Sequence, residues 1–183
     1  MRKISLFIAS SLDGYIARES GDIDWLFTDQ DYGYTEFLAK VDTIIMGNKT
    51  YQQVLSFGDY PYHEKEVFIF SQTQQQEPSN NAKYVSSNWQ DFINDLRQSS
   101  GGDIWLVGGA QMIYFFLKHN FIDELILSIH PIILGSGIPL IFSDRTLETA
   151  LELKNMETFN TGLVQLSYNL KSTGKTKSKL SGI

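Results

Sequence analysis

The stretch Ile104-Trp105-Leu106-Val107-Gly108-Gly109-Ala110-Gln111 is an apolar run about as long as one strand, and it ends in two glycines. The residues that follow, Met112 to Leu117, have the apolar pattern of a helix. A strand that turns directly into a helix presents backbone N–H groups at the helix N-terminus, where the helix dipole favours an anion. Glycines there permit positive φ and close approach of a ligand. The stretch therefore indicates either a phosphate or pyrophosphate site or a tight turn without a ligand.

A second strand-turn-helix element lies earlier in the chain. Thr43-Ile44-Ile45-Met46-Gly47 is typical of a strand ending in glycine, and Asn48-Lys49-Thr50-Tyr51 opens another helix with a cation and a hydroxyl. The first apolar run, Ile4 to Ala9, also ends in a special turn that extends from Ser10 to Ala17. Ligands of open α/β sheets bind outside the carboxyl ends of the strands. The three strand ends together predict one shared crevice.

Length and composition favour a single cytoplasmic domain. The chain has 183 residues, of which 42% are hydrophobic and 13% aromatic. Without cysteine it has neither a disulfide framework nor a cysteine metal site, and its three histidines lack metal-ligand spacing, so no metal is predicted. The apolar stretch behind Met1-Arg2-Lys3 is too short for a signal peptide, and no run approaches the roughly 18 residues of a membrane span.

The charge distribution separates an acidic body from a basic end. The net charge is −6, and four lysines without an acid from Lys171 onward leave −10 on residues 1–170. An acidic body argues against nucleic acid as a partner, because phosphate neutralisation needs a basic surface. The sequence predicts one domain over residues 1–171 and a disordered Lys/Ser-rich tail over 172–183.

Strand and helix patterns alternate along most of the chain, which predicts a mostly parallel α/β sheet. Asn88 is a candidate N-cap. After Glu124 the sequence suggests antiparallel strands added to the parallel sheet, with one short helical patch from Asp144 to Leu151. Apolar runs typical of strands fall at 3–9, 43–47, 66–71, 82–86, 104–107 and 123–131, with alternation at 162–170, and helical spacing falls at 34–40, 50–55, 89–98 and 111–119.

Four ordered motifs carry a resemblance that covers about residues 3–170: Ser11-Leu12-Asp13-Gly14-Tyr15-Ile16-Ala17, Met46-Gly47-Asn48-Lys49-Thr50-Tyr51, Val107-Gly108-Gly109-Ala110, and the segment from Ile133 to Phe142. In order and spacing they resemble the dihydrofolate-reductase-like superfamily, in particular the branch shared with the C-terminal reductase domain of the bifunctional riboflavin-biosynthesis protein. The resemblance implies a three-layer α/β fold with a mostly parallel mixed sheet and antiparallel C-terminal strands, together with NADPH binding, a small-molecule substrate and a homodimer.

The resemblance also implies which residues bind the cofactor. The Gly-Gly turn would hold the pyrophosphate, and Ser71 and Thr73 would lie near the adenosine ribose. Asn48 stands where the family has an arginine that grips the 2′-phosphate, so the choice between NADP and NAD stays open. The full set of expected cofactor residues is Ala9, Ile16, Gly47, Asn48, Lys49, Thr50, Ser71, Thr73, Val107, Gly108, Gly109, Ala110, Gln111 and Met112.

Three residues are candidates for the chemistry. Asp13 either orients a substrate or makes an Asx-turn beside Gly14, and Trp25 resembles the family's active-site tryptophan. Asp29 is taken as the carboxylate that supports protonation, although no motif separates it from its competitors. Those competitors are Asp22, Asp24, Asp31 and Glu36.

Three other features are interpreted as structural. His130, before Pro131, is expected to be structural rather than catalytic. Trp105 and the run Tyr114 to Leu117 are expected to lie in the core.

The leading hypothesis is an NAD(P)H-dependent reductase. It would transfer hydride to a small heterocycle, either pterin/folate-like or ribosylaminopyrimidine-like, as dihydrofolate reductase or 5-amino-6-(5-phosphoribosylamino)uracil reductase does. The alternative is a dimeric nucleotide- or pterin-binding protein of the same fold without efficient turnover. A purely structural domain would require the three glycine turns to be coincidental.

Overall fold

The computed structural model of the protein describes residues 1–73 and 82–171. Within them the elements follow in the order β1 Ile4–Ser11, β2 Tyr15–Ala17, α1 Tyr34–Lys40, β3 Val41–Gly47, α2 Asn48–Ser56, β4 Glu66–Phe70, β5 Ala82–Val85, α3 Trp89–Gln98, β6 Asp103–Gly108, α4 Ala110–Lys118, β7 Glu124–His130, β8 Ile138–Pro139, β9 Ala150–Thr158 and β10 Val164–Lys171.

Eight strands form one mixed sheet in the order β5-β4-β3-β6-β1-β7-β10-β9. The strands from β5 to β7 are parallel, whereas β10 runs antiparallel to β7 and β9 antiparallel to β10. The short strands β2 and β8 form a separate antiparallel pair. The parallel strands end at one common side of the sheet, called the carboxyl edge from here on. The predicted mostly parallel sheet with antiparallel C-terminal strands is confirmed.

Helices cover both faces of the parallel strands, which explains why those strands are continuously apolar. On one face α3 and α4 pack over residues such as Ile104 and Leu106. On the other face α1 and α2 pack over Ile44 and Trp105, and Trp105 is 5% exposed, as expected of a core residue. Its indole Nε1 donates to the carbonyl of Phe7 at 3.2 Å. These layers give the three-layer fold that the resemblance implied.

The helical patch expected over Asp144–Leu151 is wrong. Residues 144–149 form turns and irregular backbone, and Ala150 already begins β9. The Asp144 carboxylate accepts the backbone N–H and the hydroxyl of Thr146, and it also accepts the Tyr114 hydroxyl of α4 at 2.6 Å. A side chain that bonds the nearby backbone in this way competes with helix formation. The hydrogen bonds of Asp144 therefore explain why the predicted helix does not form here.

The remaining expectations about local structure have mixed outcomes. Helix α3 begins directly after Asn88, but that residue has φ +51° and its side chain makes no capping hydrogen bond. The tail 172–183 lies outside the described residues. Over residues 1–73 and 82–171, every helix falls short of the length or apolar character needed to cross a membrane.

Candidate active site

The two glycine turns lie side by side at the carboxyl edge. They follow the neighbouring strands β3 and β6, in which Met46 is paired with Gly108. A Cβ atom on Gly47 would lie 3.2 Å from Met112 Cγ, and one on Gly109 would lie 3.3 Å from Thr50 Oγ1. Because Gly47 has no side chain, the first turn of α4 approaches it closely. Gly109 in the same way allows the first turn of α2 to approach. The structure brings both predicted turns into one place.

Both helices at this place begin without a capping side chain. Helix α2 has Gly47 as its N-cap and α4 has Gly109, and neither helix carries an acid in its first turn. Gly108 has φ +129°, which only glycine adopts readily, and the Gly108–Gly109 peptide is cis. Helix N-termini without side-chain caps or acids offer backbone donors and a favourable dipole to an anion. The donor set fits the phosphates of a dinucleotide.

The start of α2 has a polar neighbour on β5. The hydroxyl of Tyr84 donates to Asn48 Oδ1 at 3.0 Å, which leaves the Asn48 Nδ2 group as a donor toward other partners. Lys49 is exposed beside it. Ser71 directly follows β4, the strand next to β3, and its hydroxyl donates to the carbonyl of Thr73 at 2.9 Å. These residues extend the polar surface from the glycine turns toward β4 and β5.

The other expected cofactor residues flank the turns. Ala9 lies in β1, the other neighbour of β6, and is half-buried, as are Val107 in β6 and Ile16 in β2. Ala110 is buried at the start of α4, whereas Gln111 is exposed.

Asp13 fixes the loop that follows β7. Its carboxylate accepts the Ser11 hydroxyl at 2.7 Å and the backbone N–H groups of Leu134 and Gly135 at 3.0 and 2.7 Å. These hydrogen bonds, the Ser11 hydroxyl first, lower the pKa of Asp13 to about 2. The group is therefore ionised at neutral pH, where it holds the loop and has no proton to give.

Residues 18–33, called the bridging segment, contain neither helix nor strand and follow the carboxyl edge. Three side chain–backbone hydrogen bonds attach the segment to the sheet and to α2. Gln53 of α2 donates to the Gly21 carbonyl at 2.8 Å, and Gln165 of β10 donates to the Tyr32 carbonyl at 3.0 Å. Between them the Phe27 N–H donates to His130 Nε2 at 3.2 Å. The segment thus connects α2 with the end of β7 and the start of β10.

Trp25 and Asp29 both lie on the bridging segment. Trp25 is 7% exposed, and its buried Nε1 has no hydrogen-bond partner among the described residues. Asp29 is exposed and accepts the Tyr32 hydroxyl at 2.7 Å. Its competitors Asp22, Asp24, Asp31 and Glu36 are exposed too, each with a local hydrogen-bond partner such as Arg18 for Asp24. Burial therefore selects none of the five carboxylates as a proton donor.

The family model described as the RibD C-terminal domain matches residues 61–165. The chain belongs to the RibD C-terminal domain family. Two relatives from Bacillus subtilis strain 168 match almost from end to end. Uncharacterized protein YyaP is 38% identical over 180 residues, with 92% of this chain and 95% of the relative covered. Uncharacterized protein YwjB is 40% identical over 171 residues, with 91% and 97% covered.

Solved structures agree with the RibD C-terminal assignment. A Shewanella sp. PV-4 protein whose name refers to riboflavin biosynthesis is 33% identical, with a TM-score of 0.83 over 93% of this chain and 99% of that chain. The deaminase/5-amino-6-(5-phosphoribosylamino)uracil reductase of Thermotoga maritima shares the fold at 18% identity and a TM-score of 0.71, with 92% of this chain covering 56% of that longer one. The resemblance to the riboflavin-biosynthesis reductase branch is confirmed.

Sequence reasoning missed the side chains that organise this RibD C-terminal site from a distance. Tyr84, Gln53 and Gln165 have no local motif, and each acts across at least 32 residues of sequence. His130, which was expected to be structural, is buried at the end of β7, and its bond to the bridging segment had no signal beyond its place before Pro131. Only the fold brings these groups to the carboxyl edge.

Proposed function

We propose that the chain is an NADPH-dependent reductase that transfers hydride to a small heterocycle of the pterin/folate-like or ribosylaminopyrimidine-like class. The observation that carries the proposal is the pair of helix N-termini at Gly47 and Gly109, side by side and without capping side chains. Membership of the RibD C-terminal domain family supports it. When bound, the nicotinamide cofactor supplies the hydride.

In this proposal the residues at the glycine turns bind and orient the cofactor. The first-turn N–H groups of α4 hold the pyrophosphate, and Asn48, Lys49 and Thr50 contribute an amide, a cation and a hydroxyl to the remaining phosphates. Ser71 and Thr73 face the ribose side. The half-buried Ala9, Ile16 and Val107 offer apolar contact to the nicotinamide half.

The substrate half lies toward β1, β7 and the bridging segment. Trp25 there contributes an apolar ring for contact with the heterocycle. Its indole N–H is buried and has no hydrogen-bond partner among the described residues. Asp13 acts through the loop that it holds and is a positioning residue. Asp29 is proposed to support protonation from solvent, since its carboxylate is exposed.

A second candidate function is a nucleotide- or pterin-binding protein of the same fold without efficient turnover. The observation that favours it is the exposure of every candidate carboxylate, together with the ionised state of Asp13. A reductase that protonates its substrate gains from an acid with a pKa near the working pH. The candidate carboxylates of the bridging segment are all exposed, so burial sets none of them apart for this role.

One experiment separates the two candidates. NADPH is titrated into the protein while tryptophan fluorescence is followed, and nicotinamide absorbance is then recorded with dihydropterin-type and ribosylaminopyrimidine-type substrates. Saturable quenching followed by loss of absorbance supports the reductase. Quenching with stable absorbance supports the binding protein. The absence of NADPH binding contradicts the reductase, and the absence of binding for NADPH and for both substrate types contradicts both candidates.

The cofactor preference is expected to change when Asn48 is replaced by arginine. A guanidinium–phosphate pair is charge-assisted and bidentate, so Asn48→Arg is expected to raise NADPH affinity relative to NADH by about tenfold. Paired titrations of both cofactors measure the ratio. Gln52→Arg adds the same charge at an exposed position of α2 and serves as the control. If Asn48→Arg gains no more than the control, Asn48 does not lie at the 2′-phosphate.

We also propose a homodimer that covers the outer face of β9. Leu151, Leu153 and Met156 are 46%, 54% and 60% exposed. They pair with Leu170, Tyr168 and Leu166, and a register shift at Ser167/Tyr168 keeps all six on one face. Such an apolar face on an edge strand is a typical interaction surface.

Light scattering is expected to give about twice the monomer mass of 20.8 kDa. Leu153→Lys is expected to shift the protein toward monomer, because it places a charge in the apolar face. The control Asn155→Lys adds the same charge on the opposite face, since Asn155 pairs with Ser167. A monomeric wild type would contradict the homodimer, and equal effects of both lysines would contradict this face.

A further inference from the structure

The imidazole of His130 occupies a defined protonation state at the end of β7. His130 is buried, with an exposed fraction of 4%. Its Nε2 accepts the Phe27 N–H at 3.2 Å, and its Nδ1 lies 3.3 Å from the Ser128 carbonyl. A backbone N–H only donates and a carbonyl only accepts. The two contacts together therefore require a neutral imidazole with its proton on Nδ1.

Aromatic rings of the bridging segment enclose this imidazole. The Trp25 ring meets it edge-on with centroids 5.2 Å apart, and the Phe27 ring lies at 4.9 Å. His130 is also the register partner of Ser11, whose hydroxyl donates to Asp13. The imidazole thus sits where the bridging segment, β1 and β7 meet.

We propose that His130 is a positioning residue for the substrate half of the site, and that its neutral imidazole fixes the Trp25 indole by accepting the Phe27 N–H. The inference rests on the proposed function in that Trp25 is there given a substrate contact. The hydrogen bond sets the height of the segment above β7, and the ring packing sets the angle of the indole. The Ser128 carbonyl accepts the Nδ1 proton on the other side of the ring.

Protonation removes this arrangement, because an imidazolium has two donors and no acceptor for Phe27. Burial lowers the pKa of His130, against a raising effect of the Ser128 carbonyl. With the folded pKa below the unfolded value of about 6.5, the imidazole's contribution to stability is present above that pH and is lost as the pH falls below it.

The charged groups on the surrounding elements have other partners. Asp13 is bonded to Ser11 and to the loop after β7, Asp24 is paired with Arg18, and Asp29 accepts the Tyr32 hydroxyl. Across residues 1–73 and 82–171, no carboxylate forms an ion pair with His130. A carboxylate contact therefore does not hold the imidazole in its charged form.

Amide hydrogen exchange of the full chain, followed by NMR at pH 7.5, tests the hydrogen bond. His130→Phe keeps a ring and removes the acceptor, so the Phe27 amide is expected to exchange about tenfold faster. His130→Gln keeps an acceptor that does not titrate, and exchange is expected to stay within about threefold of wild type. Amides of β6 report whether each variant remains folded. Equal Phe27 exchange in wild type and His130→Phe, with β6 intact, overturns the proposal.

The indole N–H resonance of Trp25 tests the positioning. The chain has three tryptophans, so Trp25→Phe assigns the signal. In wild type and in the control His119→Gln the signal is expected to shift as the pH falls through the lowered pKa of His130, and in His130→Gln it is expected to stay constant. A signal that still titrates in His130→Gln overturns the role of His130.

NADPH titration separates this proposal from the proposed function. His130→Phe is expected to keep its NADPH Kd within about twofold and to raise KM for the heterocycle, because the indole lies away from the glycine turns. If wild type binds no NADPH, the reductase proposal fails while the exchange and indole results still decide the role of His130. A His130→Phe variant with unchanged KM in an active enzyme overturns the positioning role.

Discussion

Gly109→Asp is expected to weaken NADPH binding by at least about a hundredfold, since like charges brought together at an interface cost several kcal/mol. Gly109 is the N-cap of α4, so the carboxylate would stand where the helix dipole and the first-turn N–H groups favour an anion. The backbone there has φ −79°, which any residue adopts. A titration of the folded variant, followed by tryptophan fluorescence, measures the loss.

Gly109→Asn is the matched control because asparagine has the same size without the charge. A Cβ atom at this position would lie 3.3 Å from Thr50 Oγ1, so both variants crowd that hydroxyl equally. The asparagine variant is expected to bind at least about tenfold more tightly than the aspartate variant. Equal losses would assign the effect to bulk alone, and unchanged affinity in both would mean that the Gly-Gly turn holds no pyrophosphate.

Phe116→Ala is expected to lower the free energy of unfolding by about 3–5 kcal/mol. The side chain is 0% exposed, and its ring packs against those of Phe70, Phe115 and Phe121. Truncation leaves a cavity beneath α4, the helix whose N-terminus forms the proposed anion site. Urea unfolding followed by circular dichroism gives the difference, with the NADPH Kd of the folded variant measured in parallel.

Phe116→Leu is the graded control, and its cost is expected to be well below that of alanine because most of the volume is kept. A loss below about 1 kcal/mol for alanine would mean that the site collapses around the missing ring. Such a result would contradict the central place given to Phe116 in the core. The comparison of the two variants also shows whether cofactor affinity follows the packing of α4.

The parts of the fold that the sequence predicts are those encoded by local patterns. The continuously apolar runs ending at Phe70 and Val107 indicated strands covered on both faces, and helices do cover both faces. The glycines after two of the strands indicated the turns that meet at the carboxyl edge. These signals are local because backbone conformation and burial pattern depend on neighbouring residues.

The sequence predictions fail where the local structure or the site depends on a residue that is distant in sequence. The run from Asp144 has a helical pattern, but the Asp144 carboxylate accepts hydrogen bonds from the Tyr114 hydroxyl and the Thr146 N–H, and the backbone forms a turn there. Tyr84 and Gln165 act on residues 36 and 133 positions away, and no pattern in their own neighbourhood encodes such bonds. For the same reason the sequence could list five carboxylates for protonation without choosing one.

The strand order also means that the two halves of the candidate site come from an earlier and a later part of the chain. Within the described part of the chain, residues 1–118 contain β5, β4, β3, β6 and β1 together with helices α1 to α4 and both glycine turns. The strands β7, β9 and β10, which supply His130 and Gln165, come from the last third of the chain. We therefore expect a chain emerging from the ribosome to form the half proposed to bind phosphate first, and the open edge of β1 to pair with β7 afterwards. The strands that attach the bridging segment come later in the sequence.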